Sequence, residues 1–381
     1  MMKSKLLNSL ILAALAVPGV ALAADAPSEP TTPHMVMSGT PTLGNVLDAS
    51  GVSTNGYLDM AYSHLSGTGA FTSGTADRVF DTEPNSFNLH QAAITLAKQP
   101  KEGFGGLVNL TLGKDAGSIK SFGQTSNDFD VTQAFIQNTT GSVTVIAGKF
   151  VTLSGAEVIN SSSNTNYSRS ILFGYAIPFT HTGLRATYAV NDQLSLIAGL
   201  NNGWDQAKDM NKSKTLELGL SYMPVKTFML SVVDYSGAEQ VAGVPGGAQG
   251  KRNLLDLVGT FTVSDSLNFV LNYDHGSQEN GMTANKKALW NGLAAYANFQ
   301  INDMWRVSAR AETFKDTDGY RTGIVQKWKE ATLTVGYAPS KSMELRGEVR
   351  KDTSDQAAFA YNDGVARKTQ NSLGLEAIYK F

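Results

Sequence analysis

Five histidines, His34, His64, His90, His181 and His275, are the side chains from which metal or acid–base chemistry would be built, and their spacing offers none. No HExxH pair occurs, and each reads as an isolated surface or loop residue. The absence of cysteine removes thiolate metal sites, disulfides and thiol redox chemistry together. The patterns GxSxG, GxGxxG and GxxxxGK[ST] are also missing, so neither a nucleophile elbow nor a phosphate-cradling loop is predicted. No enzyme, cofactor or metal is expected. The Gly-rich stretches at 66–76 and 242–252 read as loop tips.

Charge does recur at a fixed spacing. Arg306, Arg310 and Glu312 alternate with Trp305, Val307, Ala309 and Ala311. Glu344, Arg346, Glu348 and Arg350 alternate with Met343, Leu345, Gly347 and Val349. A period of two puts the charges on one face of a strand and the apolar residues on the other. Their chemistry is electrostatic. Such a face lines a polar channel and orients dipolar solutes, or its charges pair with one another and hold the wall.

The elements carrying these faces are strands throughout. KTLELGLSYMP puts Leu216, Leu218, Leu220 and Tyr222 on one face, and SLNFVLNYD does the same with Leu267, Phe269, Leu271 and Tyr273. The C-terminal NSLGLEAIYKF alternates back from Phe381 through Tyr379, Ala377, Leu375 and Leu373. From about residue 52 onward, about 16 such runs occur, the even count that a closed antiparallel barrel requires when both ends lie on one side. Tight joints alternate with long polar stretches at roughly 66–85, 115–129, 151–180, 202–213, 237–251, 276–287, 316–326 and 353–369. Short turns at one end and long loops at the other are the asymmetry of a transmembrane β-barrel. Tyr188, Tyr222, Phe228, Phe261, Phe299, Trp305, Tyr337, Tyr379 and Phe381 fall beside the short turns or the C-terminus, as an interfacial girdle would. Lys327 and Lys329 are exceptions on the apolar face, near a loop where snorkelling can lift them.

The N-terminus supplies a compartment. Lys3 and Lys5, the apolar run Leu6 to Val17 and the Ala21-Leu22-Ala23 site have the layout of a cleaved signal peptide over 1–23. Residues 24–50 then read as a periplasmic lead-in with one short helical turn in LGNVLDAS, and 51–381 as the barrel. No segment reaches the 18 or so apolar residues of a membrane-spanning helix. Setting the two leader lysines aside leaves 29 basic residues against 33 acidic ones, a mature charge of about −4 that does not suit nucleic acid. Charged residues make up only 17% of the chain, against about 25% in soluble proteins, as expected for a barrel with a lipid-facing band.

The longest loop carries a specific pattern. It runs from Gly148-Lys149-Phe150 through Glu157, Asn164, Asn166-Tyr167-Ser168-Arg169-Ser170 and Phe173 to Pro178-Phe179-Thr180-His181-Thr182-Gly183. With LGNVLDASGVSTNGYLDMAY and NSFNLHQAAITLAK, it resembles the OmpL-like β-barrel porin family. That resemblance implies an outer-membrane barrel of a Gram-negative bacterium, passing small hydrophilic solutes or ions. Its expected surroundings are outer-membrane lipid, lipopolysaccharide and the barrel assembly machinery, which would read Tyr379 and Phe381. A homotrimer is expected by analogy with general porins.

In general porins the third external loop folds into the lumen, so 151–180 is expected to be the constriction. Glu157, Asn164, Asn166, Tyr167 and Arg169 would face Arg306, Arg310, Arg346 and Arg350, with Glu344 and Glu348 beside them. The same charges read also as mutual pairs that hold the wall. A non-conducting surface barrel acting as adhesin or envelope scaffold is the alternative. A plugged transporter is disfavoured, since it would need about 22 strands.

Overall fold

In a computed structural model, which describes residues 43–240, 249–281 and 285–381, the alternating runs form sixteen strands. They are β1 (Ser53–Leu65), β2 (Phe87–Lys98), β3 (Gly103–Leu112), β4 (Phe129–Thr140), β5 (Val143–Val151), β6 (Thr180–Asn191), β7 (Leu194–Asn201) and β8 (Thr215–Val225). The second half holds β9 (Phe228–Gln240), β10 (Gln249–Ser264), β11 (Leu267–Glu279), β12 (Lys287–Gln300), β13 (Trp305–Asp316), β14 (Gln326–Ser340), β15 (Met343–Ser354) and β16 (Thr369–Lys380). Each pairs antiparallel with its sequence neighbours, and β16 returns to β1, so the sheet is a closed barrel. No helix among the described residues is long and apolar enough to cross a membrane.

Closure is made by the C-terminus. Tyr57 lies opposite Lys380 and Leu65 opposite Ser372. Gly56 and Phe381 then exchange backbone hydrogen bonds of 2.8 and 2.9 Å. The Phe381 ring packs over Gly56, in the space that a Cβ would take. The signal-peptide assignment and most of the lead-in lie outside the described residues. The last part of the lead-in is a two-turn helix, α1 (Leu43–Ser50), longer than the single turn expected.

Facing follows the period-two pattern. Leu218, Leu271, Leu333, Val349 and Leu375 lie on the exposed outer face, whereas Arg310, Arg346, Glu348 and Arg350 are buried inside. Two loops are shorter than the sequence suggests, because β9 runs to Gln240 and β10 begins at Gln249, while β11 runs to Glu279 and β12 begins at Lys287. Ladder pairing is a backbone property, so Gly237, Gly250 and Ser277 continue the sheet past the apolar band.

If the outer face meets hydrocarbon, Leu333→Arg at mid-strand should lower folding stability in vesicles by about 2–4 kcal/mol, and Thr353→Arg at the loop-end rim by about 0–1 kcal/mol. Urea titration followed by heat-shifted gel mobility measures both. Equal penalties would contradict the assigned facing.

Candidate functional site

The third loop, L3 (152–179), lies inside the barrel and takes its shape from its own polar residues. Asn160 accepts the Ser162 amide (2.9 Å) and starts a 3-10 turn over Ser161–Ser163. Asn164 bridges back to Val158, accepting its N–H at 2.9 Å and donating to its carbonyl at 2.8 Å. Glu157 accepts the Ser170 amide at 2.8 Å, and Arg169 donates to the Ile159 carbonyl at 2.9 Å. A π-helical turn, Leu172–Ala176, precedes the return to β6.

The loop touches most of the wall. Gly155 N–H donates to Asp256 on β10 (3.1 Å) and Ala156 N–H to Asn272 on β11 (3.2 Å). Gln91 of β2 donates to the Ile159 carbonyl (2.9 Å), and Arg346 of β15 to the Ser161 carbonyl (3.2 Å). The densest contacts lie on β13 to β15. Glu348 accepts both Tyr167 N–H (2.8 Å) and Ser168 N–H (3.0 Å), and Glu312 accepts Ile171 N–H (2.6 Å) and Leu172 N–H (3.1 Å). Arg310 donates to the Ser168 carbonyl and to Glu157, each at 2.7 Å, and Arg350 donates to the Arg169 carbonyl at 2.7 Å. Arg306 reaches the Thr165 carbonyl, and Asn166 donates to Thr334 at 2.6 Å. On β16, Gly374 leaves room for the Tyr167 ring, which a Cβ would overlap.

Charge is neutralised within this clamp. Arg310 pairs with Glu330 (2.9 Å), Arg350 with Asp352 (2.8 Å) and Glu330 (3.1 Å), and Arg346 with Glu376 and Glu344, both at 3.0 Å. Arg306 also pairs with Glu344. Buried ion pairs add little net stability, because desolvation offsets their attraction, yet removing one member costs about 3–5 kcal/mol. They specify where the loop docks.

Two cavities lie within the barrel, one of them against the loop. One, of about 250 Å³, lies between L3 and the walls of β2, β3, β4, β6, β7 and β9, with Thr95, Asn109, Thr111, Gln133, Arg185 and Ser231 among its lining. The other, of about 380 Å³, opens at the loop end beside Trp204, Glu239, Arg252, Tyr320 and Arg321. There Arg252 lies over the Trp204 ring (4.9 Å) and Arg321 over Trp290 (5.4 Å).

A closed sixteen-stranded sheet whose third loop docks inside the bore is the arrangement against which relatives can be compared. The family model described as putative beta-barrel porin-2, OmpL-like, matches residues 51–381. The chain belongs to this family. Among solved structures, an anion-selective porin from Comamonas acidovorans superimposes with a TM-score of 0.61 at 11% identity, covering 87% of this chain and 99% of that one. OmpT of Vibrio cholerae in its trimer form gives 0.57 at 12% over 87% and 99%, and a Rh. blastica porin mutant 0.54 at 12% over 87% and 100%. No curated protein sequence matches. At such identities the likeness shows the fold alone, that of an outer-membrane porin barrel, and the matching family is one of porin-type barrels.

The structure brings the loop and wall residues singled out by sequence to one side of the bore, with Glu157, Asn166 and Tyr167 bonded directly to the wall and Asn164 and Arg169 bonded within the loop. Glu157, Asn164, Asn166, Tyr167 and Arg169 are each under 9% exposed. L3 lies directly on the arginine wall that it was expected to face, and the wall charges also pair with one another, the other arrangement expected. Arg169 stacks over Phe80 (5.1 Å) instead of facing an open bore. Tyr379 and Phe381 sit exposed at the turn-end rim.

Sequence reasoning missed the apolar filling of the loop end. L1 (66–86) and L8 (355–368) also turn inward, and Phe71, Phe80 and Phe359 pack with Phe173, Phe179, Trp204, Trp290, Phe314 and Trp328 in one buried cluster. Arg78 of L1 ties the cluster to Asp352 of β15 at 3.0 Å. Strand parity carried the signal. Since Lys327 and Lys329 point outward, Trp328 must point inward.

Glu348→Ala strands two buried amides, at about 1–3 kcal/mol each. Deuterium uptake over residues 161–173 should therefore rise while the strands stay protected, and unchanged uptake would refute the clamp.

Proposed function

We propose that this barrel passes small hydrophilic solutes or ions passively along a narrow aqueous path, and that no chemistry occurs in it. The observation supporting this reading is the polar-lined cavity of about 250 Å³ left between L3 and the β2 to β9 side of the wall. L3 covers the opposite side, so it acts as the constriction, and the channel is far narrower than an unobstructed sixteen-stranded bore. Export through a cleaved leader, loops facing outward, assembly read from Tyr379 and Phe381, and a homotrimer complete the reading.

The apolar cluster at the loop end favours a second reading, a barrel that does not conduct and works through its loops. Phe173 and Phe179 line the lower cavity, Trp204 lines the upper one, and all three belong to the cluster. In that reading the apolar residues of L1, L3, L4 (202–214) and L8 together close the loop end.

In planar bilayers the purified protein should give small stepwise conductance, and deleting residues 155–170 should enlarge it. Silence at high protein dose would sink the pore. Unchanged conductance in the deletion would remove L3 as the constriction.

Acid should narrow the path further. Burial pushes the Asp77 carboxyl of L1 up to about 6, with Arg78 pulling the other way. Because the docked loop holds this proton more tightly than free Asp, near 3.9, docking is strongest below about pH 4. It weakens by roughly 2–3 kcal/mol as pH rises from about 4 to 6. Conductance should be lower at pH 5 than at pH 7.5, and low at both in Asp77→Asn. A wild-type conductance independent of pH would count against L1 docking.

A further inference from the structure

The lysines that break the apolar face are part of a larger feature. Lys315 of β13, Lys327 and Lys329 of β14, and Lys351 of β15 are all exposed, and their chain neighbours Phe314, Trp328, Arg350 and Asp352 are buried inside. The four therefore share the outer face near its loop end. Register brings them together. Lys315 lies directly opposite Lys327, Lys329 lies between Thr313 and Thr353, and Lys351 is opposite Ala331. Strand spacings place the four Cα atoms within a patch of about 10 by 14 Å.

Among the described residues, none of these four lysines forms an ion pair. The lysine ion pairs among the described residues involve Lys114, Lys149, Lys214 and Lys380 instead. Asp355 at the rim accepts the backbone N–H of Lys327 at 2.9 Å, and Asp318 accepts that of Leu289 at 2.9 Å. Glu312, Glu330 and Asp352 lie on the inner face, engaged with L3 and the arginines. Like charges directly opposite in a sheet repel, and the surrounding face is apolar. An anion from outside the chain is the natural partner.

Below the lysines the same face is hollow. A groove of about 760 Å³ is lined by Ala309, Ala311, Ala331, Leu333 and Val349, and Lys351 stands at its edge. The alanines leave open the space that leucine or phenylalanine fills elsewhere on the wall. Cations over an apolar trough match a molecule with phosphates above and an acyl chain below.

We propose that this face seats one phosphorylated glycolipid of the outer leaflet, lipopolysaccharide, with its phosphates on the four lysines and an acyl chain in the alanine-floored groove. The assignment rests on the reading that the loop end faces outward. Basic residues at a membrane surface attract anionic headgroups, and the groove adds hydrophobic burial.

Native mass spectrometry of the folded protein, titrated with bisphosphoryl lipid A, phosphatidylglycerol or inorganic phosphate, tests the seat. One lipid A should be retained per chain. Affinity should fall at least tenfold in the quadruple variant Lys315→Gln, Lys327→Gln, Lys329→Gln, Lys351→Gln, and also in the groove-filling Ala311→Phe. Heat-shifted gel mobility verifies that each variant is folded. Unchanged binding by the quadruple variant would overturn the proposal, as would equal retention of phosphatidylglycerol. Displacement by inorganic phosphate alone would remove the acyl groove, and an oligomer abolished by Ala311→Phe would assign the face to a second copy. Orientation is checked separately. Because the chain has no native cysteine, Thr317→Cys in intact cells should react with a membrane-impermeant maleimide. Failure there refutes the outward loop end, whereas absent conductance refutes the pore and leaves the lipid seat standing.

Discussion

Inside hydrocarbon an unpaired backbone N–H or C=O costs several kcal/mol, and no water is present to relieve it. A sheet can meet that demand only by closing, so the pairing of β1 with β16 underlies everything else in this molecule. Closure gives every strand one apolar and one polar solvent, and the period-two sequence follows. It also creates an enclosed bore, whose inward groups can engage a loop that would otherwise lie at the surface.

What fills that bore is chosen by charge and by apolar packing in different places. On β13 to β15, carboxylates and guanidinium groups bind L3 through its backbone, fixing the loop with few side chains of its own. At the loop end the same loop uses Ile171, Leu172 and Phe173 to join an apolar cluster with L1, L4 (202–214) and L8. Both contacts pull L3 to one side of the barrel. The polar residues of β3, β4, β6 and β7 are left facing a cavity, and the functional reading grows from that asymmetry.

Strand facing was legible in the sequence because it is local. Alternation around Arg310 or Glu348 needs only a few residues to be read, and the long stretch at 151–180 marks itself by length. The arginines of that wall were named as the loop's neighbours, but the choice of backbone contacts that seats the loop on it was not legible. That choice joins Glu348 to Tyr167 and Glu312 to Ile171, pairs 181 and 141 residues apart, and nothing local encodes it. The inward Trp290, Phe314 and Trp328 were readable by parity, yet the expectation of a polar lumen hid them. Lys327 and Lys329 were noticed as exceptions, but Lys315 and Lys351 join them only through register.

The central claim is that L3 seals the β13 to β15 side of the bore and leaves the β2 to β9 side wet. Single cysteines in this cysteine-free chain address it, read by the effect of a charged thiosulfonate on bilayer current. Thr95→Cys and Asn109→Cys should react quickly and change the current, whereas Ser308→Cys, fully buried beneath the loop, should stay protected. Rapid modification at Ser308 with protection at Thr95 and Asn109 would contradict the account.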